Sequence, residues 1–339
     1  MQPVPPFPKP DPIVEPLNTT FDLTYTWDYE TTRKELKHLY EQAKVNQWNV
    51  SREIDWSIDV DPEAELYPDE QIPIYGTHLW KKMTPVEIKR LRREQIAWSL
   101  SQFMHGEQGA LLATAQLVDA TRDFDSKLYA STQVMDEARH VEVFDKYLHE
   151  KVQLQYPITP PLKGMLDMIL TDPRWDMKYL GMQIMVEGLA LAAFHFMRDF
   201  SSETLMKSIL DYVIKDEARH VAFGVLALRR VYTEEMNEKE LREREEFVYE
   251  SSVLMRDRLI AGQVFQRMGM PLEECIGYIK ASQAHAEFRK ILFTKIVPNV
   301  KKLGLLTPWL RERFAELDVL KYEDWEPTIA VPDQMAVAQ

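Results

Sequence analysis

Cysteine is almost absent from this chain, since Cys275 is the single cysteine among 339 residues. Neither a disulfide framework nor a thiolate metal site is therefore available. Positive charge is also scarce, because 41 lysines and arginines stand against 54 aspartates and glutamates, a net charge of −13. A broad nucleic-acid surface needs a basic footprint, so nucleic-acid binding is not expected.

Long uncharged runs are missing as well. No uncharged stretch reaches the roughly 18 residues that a membrane span requires, so no membrane association is expected. Residues 1–20 show no basic start followed by an apolar run, which argues against a secretory leader. A cytoplasmic location is the resulting expectation. The chain does hold 45% hydrophobic and 11% aromatic residues, enough to bury a substantial core.

The most informative feature is a repeated motif. The string Asp-Glu-Ala-Arg-His occurs at 136–140 and again at 216–220, and a glutamate lies 30 residues before the glutamate of each copy, at Glu107 and Glu187. Positions three apart lie on one face of a helix, so each Glu-x-x-His can direct a carboxylate and an imidazole at one point. The pattern predicts a carboxylate-bridged dinuclear metal centre in a four-helix bundle.

The surrounding sequence predicts the helices that carry this motif. Two hairpins are expected, made of helices at 84–118 and 124–152 and at 175–200 and 203–232. Thr84 and Glu87 form a capping box at the first start, and Ser201 and Ser202 can cap the last helix. The connection 153–174 holds four prolines around a short apolar helix, as a long crossover between two hairpins would.

The domain organisation follows from these elements. Residues 1–83 are predicted to form a proline-rich arm, a helix at 31–46 and an ordered loop region at 49–80. The first 16 residues hold seven prolines, so they are expected to form either an extended arm or a disordered tail. Residues 84–232 form the bundle, and 233–339 form accessory helices, at 235–268 and 271–303, packed on it. No run alternates like a strand, so the fold class is all-α, with one domain overall.

Charge explains why metals are needed. Burying four carboxylates without cations would be prohibitive, whereas two divalent ions offset four glutamates. Carboxylate oxygens with one imidazole per metal suit iron or manganese. We assign Glu107 with His140 to one metal and Glu187 with His220 to the other, while two further glutamates bridge them. The predicted ligands are Glu107, Glu137, His140, Glu187, Glu217 and His220.

The residues next to the ligands fit the same site. Asp136 and Asp216 can accept a hydrogen bond from the second nitrogen of a ligating histidine. Arg139 and Arg219 can pair with these aspartates and keep them ionised. Small or apolar side chains beside the ligands suggest a substrate pocket, although ordinary helix packing would also use them. These pocket candidates are Gly109, Ala110, Leu111, Phe144, Ala190, Leu191 and Val213.

The duplicated Glu…Asp-Glu-x-Arg-His pattern resembles the ferritin-like di-iron carboxylate oxidases and oxygenases. That superfamily includes bacterial monooxygenase hydroxylases, acyl-carrier-protein desaturases and ribonucleotide reductase small subunits. The resemblance covers about 84–232 and implies a ferritin-like bundle with one long crossover and additional helices. It also implies two irons, with a manganese–iron pair as an alternative, and dioxygen as co-substrate.

Four departures leave the branch unassigned. Phe144 stands where reductase subunits carry a radical tyrosine, and Leu191 where hydroxylases place a threonine. Val213 stands where arylamine N-oxygenases add a third histidine. The ligand-binding oxidases form a valine–tyrosine crosslink at positions that here are Gly109 and Met182.

We therefore expect an enzyme that uses dioxygen to hydroxylate, N-oxygenate or desaturate a small organic substrate. An electron donor such as a ferredoxin or reductase is implied, and a homodimer is the expected assembly. An iron-storage or ferroxidase subunit and a manganese–iron ligand-binding oxidase are the alternatives. The length counts against storage, because it is about twice what a minimal four-helix bundle needs.

Overall fold

The fold is all-α, as predicted. The computed structural model describes residues 14–257 and 260–325, and within these ranges no β-strand occurs. The helices are α1 (Lys34–Val45), α2 (His78–Lys82), α3 (Pro85–Ala120), α4 (Phe124–Tyr147), α5 (Pro160–Thr171), α6 (Trp175–Phe200), α7 (Thr204–Arg230), α8 (Glu238–Asp257), α9 (Gly262–Arg267), α10 (Leu272–Ala281), α11 (Gln283–Leu292), α12 (Ile296–Lys302) and α13 (Pro308–Glu316).

Helices α3, α4, α6 and α7 form the predicted bundle of two hairpins. The capping box begins α3, since the Thr84 amide donates to Glu87 and the Thr84 hydroxyl accepts from the Glu87 amide. Asp123 caps α4 by accepting from the Ser126 amide at 2.8 Å. The turn between α3 and α4 falls midway between Glu107 and Glu137, which brings these two glutamates level.

The crossover runs through α5, which packs on α3 and α8. Gly109 allows its close approach, because a Cβ at this position would lie 2.5 Å from a methyl group of Leu166. The predicted pocket candidate Gly109 therefore serves helix packing.

Helix α6 is the most deeply buried element. By length and composition it could cross a membrane, but 89% of its apolar window is buried inside the protein, as expected of a core helix. Between Leu180 and Val186 the helix widens into a π-helical segment, which ends directly before Glu187. Such segments occur often at functional sites, and the sequence pattern did not predict this one.

Two local predictions were wrong. Glu203, rather than Ser201 or Ser202, caps α7, because its carboxylate accepts from the Leu205 and Met206 amides. Within the described residues the accessory region forms five short helices and one longer one, rather than two long ones. The turn at Gly269 (φ 70°), a conformation that only glycine adopts readily, does fall at the predicted boundary between the two. The predicted loop region is present up to α2, with a 3₁₀ turn at Asp69–Gln71.

The N-terminal region lies along the bundle. Residues 14–33 are extended, and Thr24 and Thr26 bond to the α3–α4 turn through the carbonyls of Asp119 and Arg122. Helix α1 packs on α4 and α7. Most of the predicted proline-rich arm, residues 1–13, lies outside the described residues, and the division into one domain with an arm stays a prediction.

Lys178 is a buried cation with carbonyl partners. Its Nζ donates to the carbonyls of Ile169 and Leu170 at the end of α5, and to the amide oxygen of Gln116 at 2.6 Å. Burial lowers the pKa of Lys178 to about 8. The lysine therefore ties the crossover helix to the bundle while it remains easy to deprotonate.

Because the unfolded chain keeps the ordinary lysine pKa of 10.5, it binds more protons than the folded chain between pH 8 and 10.5. Stability contributed by Lys178 should therefore rise with pH across this window. We compare the free energy of unfolding in urea of the wild type with that of Lys178→Met. As pH rises from 8 to 10.5, the difference should grow in favour of the wild type. A difference that stays constant with pH would contradict this assignment.

Candidate metal centre

The structure brings all six predicted ligands to the centre of the bundle. Glu107 comes from α3, Glu137 and His140 from α4, Glu187 from α6, and Glu217 and His220 from α7. Each is at most 4% exposed. The i, i+3 spacing puts the glutamate and histidine of each motif on one helix face, so α4 and α7 each contribute two groups.

The ligand atoms form two groups that share Glu137. Glu107, Glu137, His140 and Glu217 lie together, and so do Glu137, Glu187 and His220, with all atoms in a group within 4.8 Å of one another. The Glu137 carboxylate oxygens lie 3.4 Å from His140 Nδ1 and 3.1 Å from His220 Nδ1.

Glu217 also reaches both histidines, though less evenly. Its Oε1 lies 3.1 Å from His140 Nδ1 and 3.7 Å from His220 Nδ1. This agrees with two bridging glutamates, with the second leaning toward the His140 side. The assignment of individual ligands stays a prediction.

Unsatisfied polar atoms show that the site fits metal ions. Oε2 of Glu137, Oε2 of Glu187, both oxygens of Glu217 and Nδ1 of His220 are buried and form no hydrogen bond of acceptable geometry among the described residues, although carboxylate oxygens and ring nitrogens lie close to one another. Buried polar groups are almost always paired, so a cluster of such atoms needs cations. Oxygen-rich sites with one imidazole each suit iron or manganese.

The pKa values follow from the same crowding. Burial, reinforced by the neighbouring glutamates, raises the pKa of Glu107 and Glu187 well above the ordinary range. For His140 and His220 burial alone would lower the pKa, but the surrounding carboxylates raise it well above the ordinary range. Without metals the site therefore retains protons, which bound metals would displace.

The aspartate of each motif contacts the histidine of the other motif. His140 Nε2 lies 3.3 Å from Asp216, and His220 Nε2 lies 3.3 Å from Asp136. The predicted histidine partners are thus present, but each belongs to the opposite motif. With Nε2 bound to an aspartate, Nδ1 of each ring faces the glutamates and is the nitrogen available to a metal.

Arginines complete a neutral layer beneath the site. Arg139 pairs with Asp136 and lies 3.4 Å from Asp216, while Arg219 pairs with Asp216 and lies 3.4 Å from Asp136. Two cations thus offset two anions, and every aspartate contacts both arginines. Asp216 also accepts a hydrogen bond of 2.7 Å from the indole of Trp48.

Sequence reasoning missed Trp48 and Gln133. Trp48 follows α1, far from both motifs in sequence, so no spacing rule connects it to Asp216. Gln133 lies one turn before Glu137 and is fully buried, with its amide nitrogen 2.9 Å from both Glu137 and Glu187. The i−4 spacing to a predicted ligand was the available indication.

The pocket candidates lie apart from an apolar cavity in the described residues. None of Gly109, Ala110, Leu111, Phe144, Ala190, Leu191 and Val213 lines this cavity, which has a volume of about 210 Å³. It lies toward the start of α3, bounded by the loop 62–73, the end of α6 and accessory helices. The candidates followed the ligands along the sequence, whereas this cavity is formed by elements remote in sequence, and their role as substrate contacts stays a prediction.

Packed aromatic rings connect the cavity lining with the helix turn that follows His140. Phe103 lines the cavity one turn before Glu107. Its ring centre lies 4.7 Å from that of Phe194, which lies 5.7 Å from that of Phe144. Phe144 itself follows the ligand His140 by one turn.

Comparison with solved structures gives distant matches. One is a single-substitution variant of an R2-like ligand-binding oxidase with an anaerobically reconstituted Mn/Fe cofactor, 17% identical, covering 81% of this chain and 94% of that chain, with a TM-score of 0.48. A second variant of that oxidase is 18% identical and covers 82% and 95%, with a TM-score of 0.47. A search of curated proteins gave no match.

The fold and the site define a ferritin-like protein with a dinuclear carboxylate metal site, of the class that activates dioxygen. A family model for the p-aminobenzoate N-oxygenase AurF matches residues 29–304. The chain belongs to this family, and the expected oxidoreductase class is confirmed.

The exchanged aspartates generate a selective prediction. Asp216→Asn should weaken metal binding at the His140 position, and Asp136→Asn at the His220 position, each by about 10–100-fold. Mn²⁺ binding measured by calorimetry, with anomalous diffraction to locate the weakened position, tests this expectation. Loss at the histidine of the same motif instead would contradict the exchanged arrangement.

Proposed function

We propose that this protein uses two irons and dioxygen to oxidise a small, uncharged organic substrate. The observation that carries the proposal is the convergence of four buried glutamates and two histidines at one point. Glu107, His140, Glu187 and His220 would each serve one iron, and Glu137 and Glu217 would bridge the two. Bound iron supplies the reduction of dioxygen and the oxidising equivalents for the substrate.

The chain supplies a dry environment for this chemistry. Around the ligands, Phe144, Leu191 and Val213 are fully buried, so bulk water has no open route through them. Excluding water protects a strongly oxidising centre from side reactions. The aspartate and arginine layer holds both imidazoles by their Nε2 atoms, so the metal-facing nitrogens keep a fixed direction.

The apolar cavity is the proposed substrate site. A helix rises about 1.5 Å per residue, so Phe103 lies about 6 Å along α3 from Glu107, and Ser99 about 12 Å. A substrate in this cavity would approach the metals past the Phe103 ring. Rotation of that side chain is the motion that access requires.

The polar groups of the cavity indicate the substrate class. Arg92 is the one cation among the described lining residues, and Asp69 binds its guanidinium in a bidentate pair at 2.6 and 2.8 Å. A carboxylate would therefore find no free positive charge there. The buried amide nitrogen of Gln95 has no acceptor among the described residues and can donate to a substrate oxygen or nitrogen.

The absence of a free cation among the described lining residues distinguishes the proposed substrate from p-aminobenzoate, the compound in the family's name. That compound carries a carboxylate. Our proposal is an uncharged aromatic or similarly apolar molecule with one hydrogen-bond acceptor. N-oxygenation is the favoured reaction because the family model describes an N-oxygenase, with hydroxylation as the second candidate.

The proposed partners follow from what the reaction and the surface charge require. Dioxygen reduction needs electrons, so we infer a ferredoxin or reductase partner in the cytoplasm, and a homodimer as the assembly. Six basic side chains lie in α2 and at the start of α3. Arg90, Arg92 and Arg93 form hydrogen bonds within the chain, whereas Lys81, Lys82 and Lys89 carry charge that can attract an acidic electron-donor protein.

Anaerobic loading with ⁵⁷Fe²⁺ followed by exposure to dioxygen tests the proposed function. Two irons per chain should react, and Mössbauer spectra should show a coupled diferric pair. Adding an uncharged arylamine should give oxidised product, whereas p-aminobenzoate should give little. Uptake of many irons per chain into a large hollow assembly would instead support iron storage.

A variant in the cavity tests the substrate site itself. Gln95→Leu removes the donor without touching the metal centre, so KM should rise several-fold while kcat and iron content stay near wild type. Gln155→Leu, which alters an amide that donates to Met104 outside the cavity lining, is the matched control. Equal KM values in all three proteins would refute this placement of the substrate.

A further inference from the structure

Gln133 is a buried amide in contact with two predicted metal ligands. Its side chain is fully buried on α4, and Nε2 lies 2.9 Å from Oε1 of Glu137 and 2.9 Å from Oε1 of Glu187. A carboxamide nitrogen has two N–H groups, so both are used. Each glutamate is left with its second oxygen, Oε2, which has no hydrogen-bond partner among the described residues.

This contact is uneven between the two sides of the metal centre. Glu187 belongs to the group with His220 alone, whereas Glu137 is shared by both groups, so Gln133 contacts the Glu187–His220 position through two ligands and the His140 position through the shared glutamate only. The 80-residue repeat that relates the two motifs places Val213 at the equivalent point on α7. Val213 is also fully buried but has no polar atom in its side chain. The two halves of the site therefore differ at this one turn.

The hydrogen bonds from Gln133 fix the orientation of both carboxylates. A carboxylate held by one oxygen has lost most of its rotational freedom, so its other oxygen is fixed toward the neighbouring ligands. Preparing a ligand in this way raises metal affinity, because ordering it on binding costs less free energy. Glu107, on the opposite side, has no amide of this kind at position 213 to hold it.

We propose that Gln133 is a positioning residue that orients Glu187 and Glu137 and makes the two metal positions inequivalent. It supports the position formed by Glu187 and His220 more than the other, because Glu187 serves that position alone. This inference rests on the ligand assignment proposed above. It adds that the affinity of that position depends on a neutral side chain which need not itself touch a metal.

Calorimetric titration of the metal-free protein with Mn²⁺ tests the proposal, with anomalous diffraction to locate each ion. Gln133→Met keeps the length and most of the volume but removes both donors. We expect the Glu187–His220 position to bind Mn²⁺ about 10–100-fold more weakly, with a clearly smaller loss at the other position, which Gln133 contacts only through Glu137. A purely structural role would weaken both positions alike.

Two variants serve as controls. Val213→Gln places the same amide on the opposite half and should leave the Glu187–His220 position unchanged. Gln133→Asn keeps the amide but is too short to span both glutamates, so it should show the same selective loss if Gln133→Met does not fold. Two bound ions with equal affinities in every variant would refute the role of Gln133. Fewer than two ions in the wild type would instead refute the ligand assignment.

Discussion

The rest of this structure depends on the burial of four carboxylates at one point. Negative charges this close together in an apolar interior are strongly unfavourable without cations. The pKa of Glu107 and Glu187 rises accordingly, and both imidazoles bind protons more tightly than usual. Two divalent ions would remove this imbalance, because they offset the four glutamates and leave the histidines neutral. The bundle thus surrounds a site whose charges are balanced only when metal is bound.

The layer beneath the ligands couples the two halves of the bundle. Because Asp136 serves His220 and Asp216 serves His140, neither half can orient its own histidine alone. Arg139 and Arg219 bridge the same two aspartates, and Trp48 connects the layer to the end of α1. A shift at one metal position should therefore be transmitted to the other through short contacts. The proposed role of Gln133 breaks this symmetry, since Gln133 contacts Glu187 on one side and has only the shared Glu137 in common with the other.

The repeat predicted the bundle and the place where six side chains meet, because helical spacing is a local property. Glu107 and Glu137 could be placed level from the midpoint of their hairpin alone. The exchange of the aspartates could not be predicted, since it depends on how α4 and α7 face each other. Trp48 is linked to Asp216 only through the fold, and the cavity is built from loop, bundle and accessory segments far apart in sequence. The break at Gly269 falls at the predicted boundary between the two accessory helices, but the second helix was predicted too long because an amphipathic pattern continues across the turn at Ser282.

The central claim is that one chain holds two metals, each on its own histidine, between shared glutamates. Anomalous diffraction at the iron edge from crystals of the iron-loaded protein measures this directly. We expect two peaks of similar height, one beside Nδ1 of His140 and one beside Nδ1 of His220, with Glu137 and Glu217 between them. A single peak, or two peaks outside these six side chains, would contradict it.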